Sequence, residues 1–235
     1  MHHPPVRPPA PGIRVRVFAS VALLSALFAH APSARAQASS RPDAFAVLES
    51  AGRTYRSAAS LCTDFRQTLA VPLLGDERTG RGRLCTKQPG LFSMRFTEPR
   101  GDLLLADGTW MWMYTPSTDV KQVLRWRIAQ GPRGVDFYRE FLDAPREKYR
   151  AEYKARETVG SKATHRLHLT PVRPAPYKDA DVWVDVDGAR LRQVQLREEN
   201  GSVRTITLGP TEARSAPPAG VFSFTPPSGT QVITR

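Results

Sequence analysis

Three dipeptides, Asp107-Gly108, Asp187-Gly188 and Asn200-Gly201, separate runs in which apolar and polar residues alternate. Such pairs favour two-residue hairpin turns, because both positions tolerate positive φ. Alternation at period two marks a strand with one buried face. Turns and period together point to an antiparallel sheet of successive hairpins. Strands are expected at 79–87, 91–97, 102–106, 109–115 and 121–127, then near 149–155, 165–170, 180–186, 190–198, 203–208 and 222–225. In 91–97 the side chains of Phe92, Met94 and Phe96 point one way, and those of Ser93, Arg95 and Thr97 the other. In 109–115 Met111 and Met113 share one face; Trp110, Trp112 and Tyr114 share the opposite one. The turn Gln88-Pro89-Gly90 joins the first two runs.

Two segments break the period. Over 41–70, Phe45, Leu48, Tyr55, Cys62, Phe65 and Leu69 fall mostly at spacings of three, four and seven. That pattern predicts a helix with one apolar face, ended by Pro72. A short helix is expected over 135–144, with Val135, Tyr138, Phe141 and Leu142 on one face. A twisted up-and-down sheet of about nine or more strands curls or closes. The expected fold is therefore mainly β with helices (α+β), the helices covering or filling the concave side of the curled sheet.

The first 36 residues read as an address. Arg7, Arg14 and Arg16 precede an apolar run, Val17 to Ala29, and Ala34-Arg35-Ala36 follows it. A basic start, a short apolar core and an A-x-A-like site describe a secretory signal peptide. The run is too short for a membrane span, which needs about 20 apolar residues. A start near Val15 or Val17 is an alternative reading of the long basic region. Cleavage after Ala36 removes four arginines and no acid, lowering the formal charge from +12 to +8. The first cysteine is Cys62, so no lipid-anchoring cysteine stands at that site. The expectation is a single domain over 37–235, released unanchored into an oxidising compartment. Its remaining bases are scattered among acids, as in Arg146-Glu147-Lys148, which is a solvated surface rather than a nucleic-acid footprint.

No motif calls for catalysis. The chain has no G-x-S-x-G, Walker A or H-E-x-x-H run. Gly80-Arg81-Gly82 lacks the third glycine of a dinucleotide loop. His165 and His168, three apart on a strand, face opposite sides and cannot share a metal. Asp181, Asp185 and Asp187 alternate with Val182, Val184 and Val186, which reads as the wet face of a strand. In an oxidising compartment Cys62, on the first helix, and Cys85, on the first strand, are expected to form a bridge. It would close a loop of roughly 24 residues and contribute about 3 kcal/mol. Two buried free thiols are the alternative.

Several runs resemble one family in order along the chain. They are Asp64-Phe65-Arg66-Gln67; Gly80-Arg81-Gly82-Arg83-Leu84; Gln88-Pro89-Gly90-Leu91-Phe92-Ser93-Met94; and Glu98-Pro99. Asp107-Gly108 then leads to Trp112, Tyr114 and Pro116, and the chain closes with Phe222-Ser223-Phe224-Thr225-Pro226-Pro227-Ser228-Gly229. The pattern resembles the LolA family of periplasmic carriers of outer-membrane lipoproteins. The resemblance implies an incomplete, strongly curved antiparallel β-barrel, with helices closing its open side. It implies a carrier, not an enzyme: a monomer without cofactor or metal. Such a carrier takes acylated lipoproteins from an inner-membrane ABC-type transporter and delivers them to the outer membrane or an acceptor there.

Phe92, Met94, Phe96, Met111 and Met113 are the expected acyl-binding residues, since methionine adapts to irregular apolar ligands. Phe137, Phe141 and Leu142 are the expected lid. The resemblance also implies an arginine before the Pro89 position that holds the lid closed, but Gln88 stands there. The latch is then weaker, or lies elsewhere, or is replaced by a Cys62–Cys85 bridge fixing the helix. Four other functions compete; one, the acceptor at the outer membrane, is disfavoured because it would be lipid-anchored and no cysteine stands at the expected cleavage site. A carrier of another lipid or glycolipid fits the same cavity. A lipoprotein-sensing module of this half-barrel fold would usually need a second domain. A hydrolase would need a nucleophile and base that the sequence lacks.

Overall fold

The computed structural model describes residues 1, 2, 12, 41–130, 136–214 and 216–235. The expected signal peptide, apart from Met1, His2 and Gly12, and the expected helix residue Val135 lie outside the described residues. The chain divides into two units, Met1–Ser39 and Ser40–Arg235, and the fold below is that of the second.

The chain enters through helix α1 (Ala44–Arg56), whose first turn is capped by the Asp43 carboxylate accepting from the Phe45 N–H. A meander of six strands follows: β1 (Ser60–Val71), β2 (Asp76–Lys87), β3 (Leu91–Glu98), β4 (Leu103–Asp107), β5 (Trp110–Tyr114) and β6 (Gln122–Arg127). Helices α2 (Phe137–Leu142) and α3 (Pro145–Lys148) lead to a second meander: β7 (Tyr149–Val159), β8 (Lys162–Pro171), β9 (Tyr177–Asp185), β10 (Leu191–Glu198) and β11 (Val203–Leu208). Two short strands, β12 (Glu212–Arg214) and β13 (Gln231–Thr234), finish it.

All of these belong to one sheet, in the order β13-β6-β5-β4-β3-β2-β1-β11-β10-β9-β8-β7, with β12 pairing off the path on β1. The expected single up-and-down order is therefore corrected. Strand β1 leaves the first meander to pair with β11, Phe65 opposite Leu208, and so joins the two halves. The ends β13 and β7 do not meet, so the sheet is open. Its curvature is read from the core. Side chains from the first meander (Phe92, Met94, Met111), the second (Leu167, Val182, Ile206) and both helices (Leu48, Phe141) form one buried cluster. The sheet wraps round α1 and α2, in a mainly β half-barrel with helices on the concave side.

Three further expectations are corrected. The helix over 41–70 stops at Arg56, and 60–71 form strand β1. The reason is burial on both faces: Ser60 to Thr63 are all buried, so the strand's start lacks the alternation that reveals period two. Pro72 does not end a helix but begins the 3-10 turn over Pro72–Leu74 at the β1–β2 tip. The expected strand at 222–225 is absent; that segment is irregular, and the pairing falls on β13, parallel to β6. Asp181 and Asp185 are not on a wet face. Asp185 is buried against Arg192, and Asp181 accepts from Arg166, His168 and Arg197.

The aromatic face of β5 packs outward. Trp112, Leu103, Leu105 and Val123 form a second cluster with Trp110, Tyr114 and Phe224. The Arg95 guanidinium donates to the backbone carbonyls of Val221 and Ser223, which fastens the C-terminal segment over this outer face.

Candidate functional site

The inner face of the first meander is built by alternation. On β3, Phe92 and Met94 are sealed inside and Phe96 is half-buried. On β5, Met111 is buried and Met113 is half-buried beside Leu104 and Leu124 of the neighbouring strands. Phe96 lies over the glycines of β2: its ring meets that of Phe65 edge-on at 4.9 Å, across Gly82, which pairs with both. A Cβ on Gly82 would collide with the Arg95 carbonyl oxygen, so only glycine lets β3 come this close.

A cavity of about 260 Å³ opens on this inner face. Met94, Leu104 and Met113 wall it from the first meander, Leu196 and Ile206 from the second, and Phe137 from α2. Its rim is polar, with Gln67, Glu198 and Arg204; the latter two form an ion pair at 3.1 Å. Of the expected acyl-binding residues, Met94 and Met113 reach the cavity, while Phe92, Phe96 and Met111 pack in the wall behind it. Sequence reading missed the second meander's share of the wall. The period-two pattern of β10 and β11, which places Leu196 and Ile206 inside, could have supplied it.

Helix α2 buries every apolar side chain it has, Phe137, Tyr138, Phe141 and Leu142, and of these Phe137 faces the cavity. Phe137 meets Phe92 edge-on, and Phe141 packs between the rings of Tyr149 and Tyr177. Helix α1 backs α2. Tyr55 and Tyr138 stack at 4.6 Å, and a Cβ on Gly52 would strike the Leu142 carbonyl oxygen. Burial drives the Tyr55 hydroxyl up to about 12, and pushes that of Tyr138 above its ordinary range as well.

Polar bonds pin α2 as well. The Glu140 carboxylate accepts from the hydroxyls of Tyr149, at 2.7 Å, and Tyr177, at 2.6 Å. The two hydroxyls also lie 2.8 Å from each other. Burial, then the neighbouring Tyr177 and Glu140, raise the Tyr149 hydroxyl far above its ordinary value. It is a fixed donor at any physiological pH. Asp136 caps α2, accepting from the Arg139 N–H. Burial pushes this carboxyl up to about 6.

The bridge expected between Cys62 and Cys85 is present, but not between helix and sheet. Both residues are on strands, directly opposite one another in the β1–β2 ladder, with Cα atoms 4.1 Å apart. Alternation puts them on the outer face, away from α1 and α2. The bridge therefore cannot stand in for a lid latch. Gln88, exposed at the β2–β3 turn, lines a separate cleft of about 460 Å³ with Arg56, Arg139 and Leu142. Its side chain makes no hydrogen bond among the described residues. No group of three or more metal-ligating side chains occurs among the described residues. No helix among them is long and apolar enough to cross a membrane.

A sheet curled round an apolar cavity and roofed by short helices can be compared with known proteins. The family model described as "Outer membrane lipoprotein carrier protein LolA" matches residues 56–225. An outer-membrane lipoprotein carrier protein of Neisseria meningitidis serogroup B is 25% identical over 163 residues, covering 67% of this chain and 73% of its own length. One from Cupriavidus pinatubonensis is 24% identical over 228 residues, covering 95% of this chain and 100% of its own. An uncharacterized conserved protein from Thermus thermophilus shares the fold at a TM-score of 0.52 and 11% identity, over 81% of this chain and 98% of that one. The match over 56–225, through both meanders and helix α2, places this chain in the LolA family of outer membrane lipoprotein carrier proteins.

Proposed function

We propose that this chain carries acylated lipoproteins through the periplasm, holding their acyl chains on the concave face behind α2. Residues 1–36 direct export and are removed, leaving residues 37–235 as the carrier domain. Cargo arrives from an inner-membrane ABC-type transporter and leaves to the outer membrane or an acceptor there. No cofactor and no bond-making step are involved. Phe92, Met94, Phe96, Met111 and Met113 serve the acyl chains, and Phe137, Phe141 and Leu142 serve the lid.

The observation that carries this reading is the cavity wall itself. Two methionines and a lid phenylalanine converge on one apolar space with a polar rim. Acyl chains left in water would cost about 0.8 kcal/mol per CH₂. Methionine, unbranched and polarizable, fits chains of differing length and saturation. The cavity is smaller than the roughly 300–1,000 Å³ typical of sites for drug-sized ligands. Several acyl chains therefore require α2 to swing away, carrying Phe137 with it, and the space behind it to enlarge.

Depletion followed by membrane fractionation tests the reading. Lipoproteins should accumulate in the inner membrane and co-purify with the chain from the periplasm. Normal lipoprotein sorting, with no periplasmic complex on pull-down, would refute it.

A further inference from the structure

The exposed apolar side chains of this unit are not scattered. Among its described residues, the large hydrophobics most open to solvent are Leu73, Leu74, Val120, Val172 and Val232, between 38% and 82% exposed. Strand direction places all five at one end. Strand β1 runs toward the turn bearing Leu73 and Leu74, and antiparallel pairing brings the end of β5 and the start of β6 to that same end. Val120 lies in the loop between β5 and β6. Pairing of β1 with β11 carries the argument across the sheet, so the β8–β9 loop with Val172 also lies there. Val232, second residue of β13, stands beside the start of β6 in parallel register.

The cavity opens at this end too. Its lining residues come from the corresponding halves of their strands: Leu104 and Met113 by the β4 start and β5 end, Tyr177 at the β9 start, Glu198 at the β10 end. At the opposite end Thr54 of α1 donates to the Gly188 carbonyl at the β9–β10 turn, and the cleft beside Gln88 is separate from this cavity.

Charge at the same end is weighted toward cations. Arg100, Lys121, Arg173 and Lys178 are exposed and have no carboxylate partner among the described residues. Arg150, near the start of β7, is likewise exposed and unpaired, and the exposed carboxylates there without a cation partner among the described residues, Glu77, Asp119, Glu147 and Glu199, are one fewer. A protein partner would present a shaped pocket to a contiguous patch. Here aliphatic tips stand apart on the β1–β2 turn, the β5–β6 and β8–β9 loops and the start of β13, interleaved with free cations. That is the pattern of an interfacial membrane contact, apolar tips entering below anionic headgroups that the cations meet.

We propose that this end is a bilayer-docking rim, with Leu73 and Leu74 as its main inserting pair, which sets the mouth of the cavity against an anionic phospholipid surface. The inference rests on the carrier reading and names the surface at which the carrier's mouth is presented.

Flotation with vesicles of phosphatidylethanolamine and phosphatidylglycerol in equal parts tests it, using residues 37–235. The wild-type chain should float with the vesicles. Leu73→Ser/Leu74→Ser should weaken this by about tenfold or more. Binding should also fall with added salt or with uncharged phosphatidylcholine vesicles. A displacement assay with a fluorescent fatty acid, run without vesicles, separates the two readings. The double variant should bind the fatty acid as wild type does, since both leucines lie outside the cavity. Failure of wild type to float, or equal flotation of the variant, overturns the docking rim. Failure of wild type to take up the fatty acid overturns the carrier reading instead.

Discussion

Phe137 on α2 and Phe92 on β3 meet edge to face, with ring centroids 6.4 Å apart. Phe92 is sealed in the wall; Phe137 both packs on it and faces the cavity. On the carrier reading proposed above, this pair is the apolar seam along which α2 would part from the sheet. Phe137→Ala should therefore lower stability by about 3 kcal/mol, the low end for truncating a buried phenylalanine, because the adjoining cavity lets the site relax. It should also speed release of a bound fluorescent fatty acid in stopped-flow measurements. Loss of stability with unchanged release would mean that α2 does not move during exchange.

Glu140 fixes the same helix through the hydroxyls of Tyr149 and Tyr177. Bonds to a charged acceptor contribute more than neutral ones, about 1.5–3 kcal/mol. Glu140→Gln keeps the shape and one acceptor oxygen but removes the charge. Amide hydrogen exchange in α2 should accelerate, by about tenfold or more, while exchange in β1 and β2 stays as it is. Uniform acceleration across the sheet would instead make Glu140 a group that holds the whole fold.

Much of this was legible because alternation survives wherever one strand face is wet or cavity-facing. Met111 and Met113 against Trp110, Trp112 and Tyr114 sorted correctly, and so did Phe92, Met94 and Phe96. Reading failed where both faces are covered. Cys62 fell within a stretch, Ser60 to Thr63, that is buried on both faces, so its strand looked like helix. Asp185 looked wet because its partner, Arg192, belongs to the next strand and is invisible to local pattern. The joining of β1 to β11, a contact across most of the chain, has no local signal at all. The meeting of the cavity's two walls depends on that long-range closure.

Asp136 gives the lid a pH dependence. Burial, opposed by the Arg139 N–H, raises its carboxyl from 3.8 to about 6. Between about pH 4 and 6 the folded chain holds a proton that the unfolded chain has released. The stability from this group is full below about pH 4 and is lost as pH rises through about 6. Asp136→Asn retains an acceptor for the Arg139 N–H and does not titrate. At neutral pH it should be more stable than wild type by about 1 kcal/mol, a value discounted because the side chain is only half-buried. Urea midpoints across this range should show the advantage vanishing at pH 4. An advantage independent of pH would assign it to something other than the carboxylate's charge.

The Cys62–Cys85 bridge ties neighbouring strands on the outer face. Closing a loop of roughly 24 residues, it should contribute about 3 kcal/mol through the unfolded state. Cys62→Ala/Cys85→Ala should lower the thermal midpoint accordingly. Fatty-acid uptake and release should stay at wild-type rates, because neither cysteine touches α1 or α2. Changed release in the double variant would show that strain in the β1–β2 ladder reaches the lid.

Gln88 stands across a cleft from the lid, with Arg56, Arg139, Asp136 and Asp143 on the other side. A neutral amide there makes no bond to α2, whereas a guanidinium could reach Asp143 or Asp136 with paired donors. Gln88→Arg should therefore add a lid contact that this chain lacks. The new pair is solvent-facing and sits beside two arginines, so its worth is at most about 1 kcal/mol. Release of the fluorescent fatty acid, and transfer of lipoprotein to an acceptor membrane, should slow by about twofold to fivefold. High salt should restore the wild-type rate, since an exposed pair is screened. Unchanged transfer at low salt would remove position 88 from the mechanism and leave the hold on α2 to Glu140 and the Phe92–Phe137 seam.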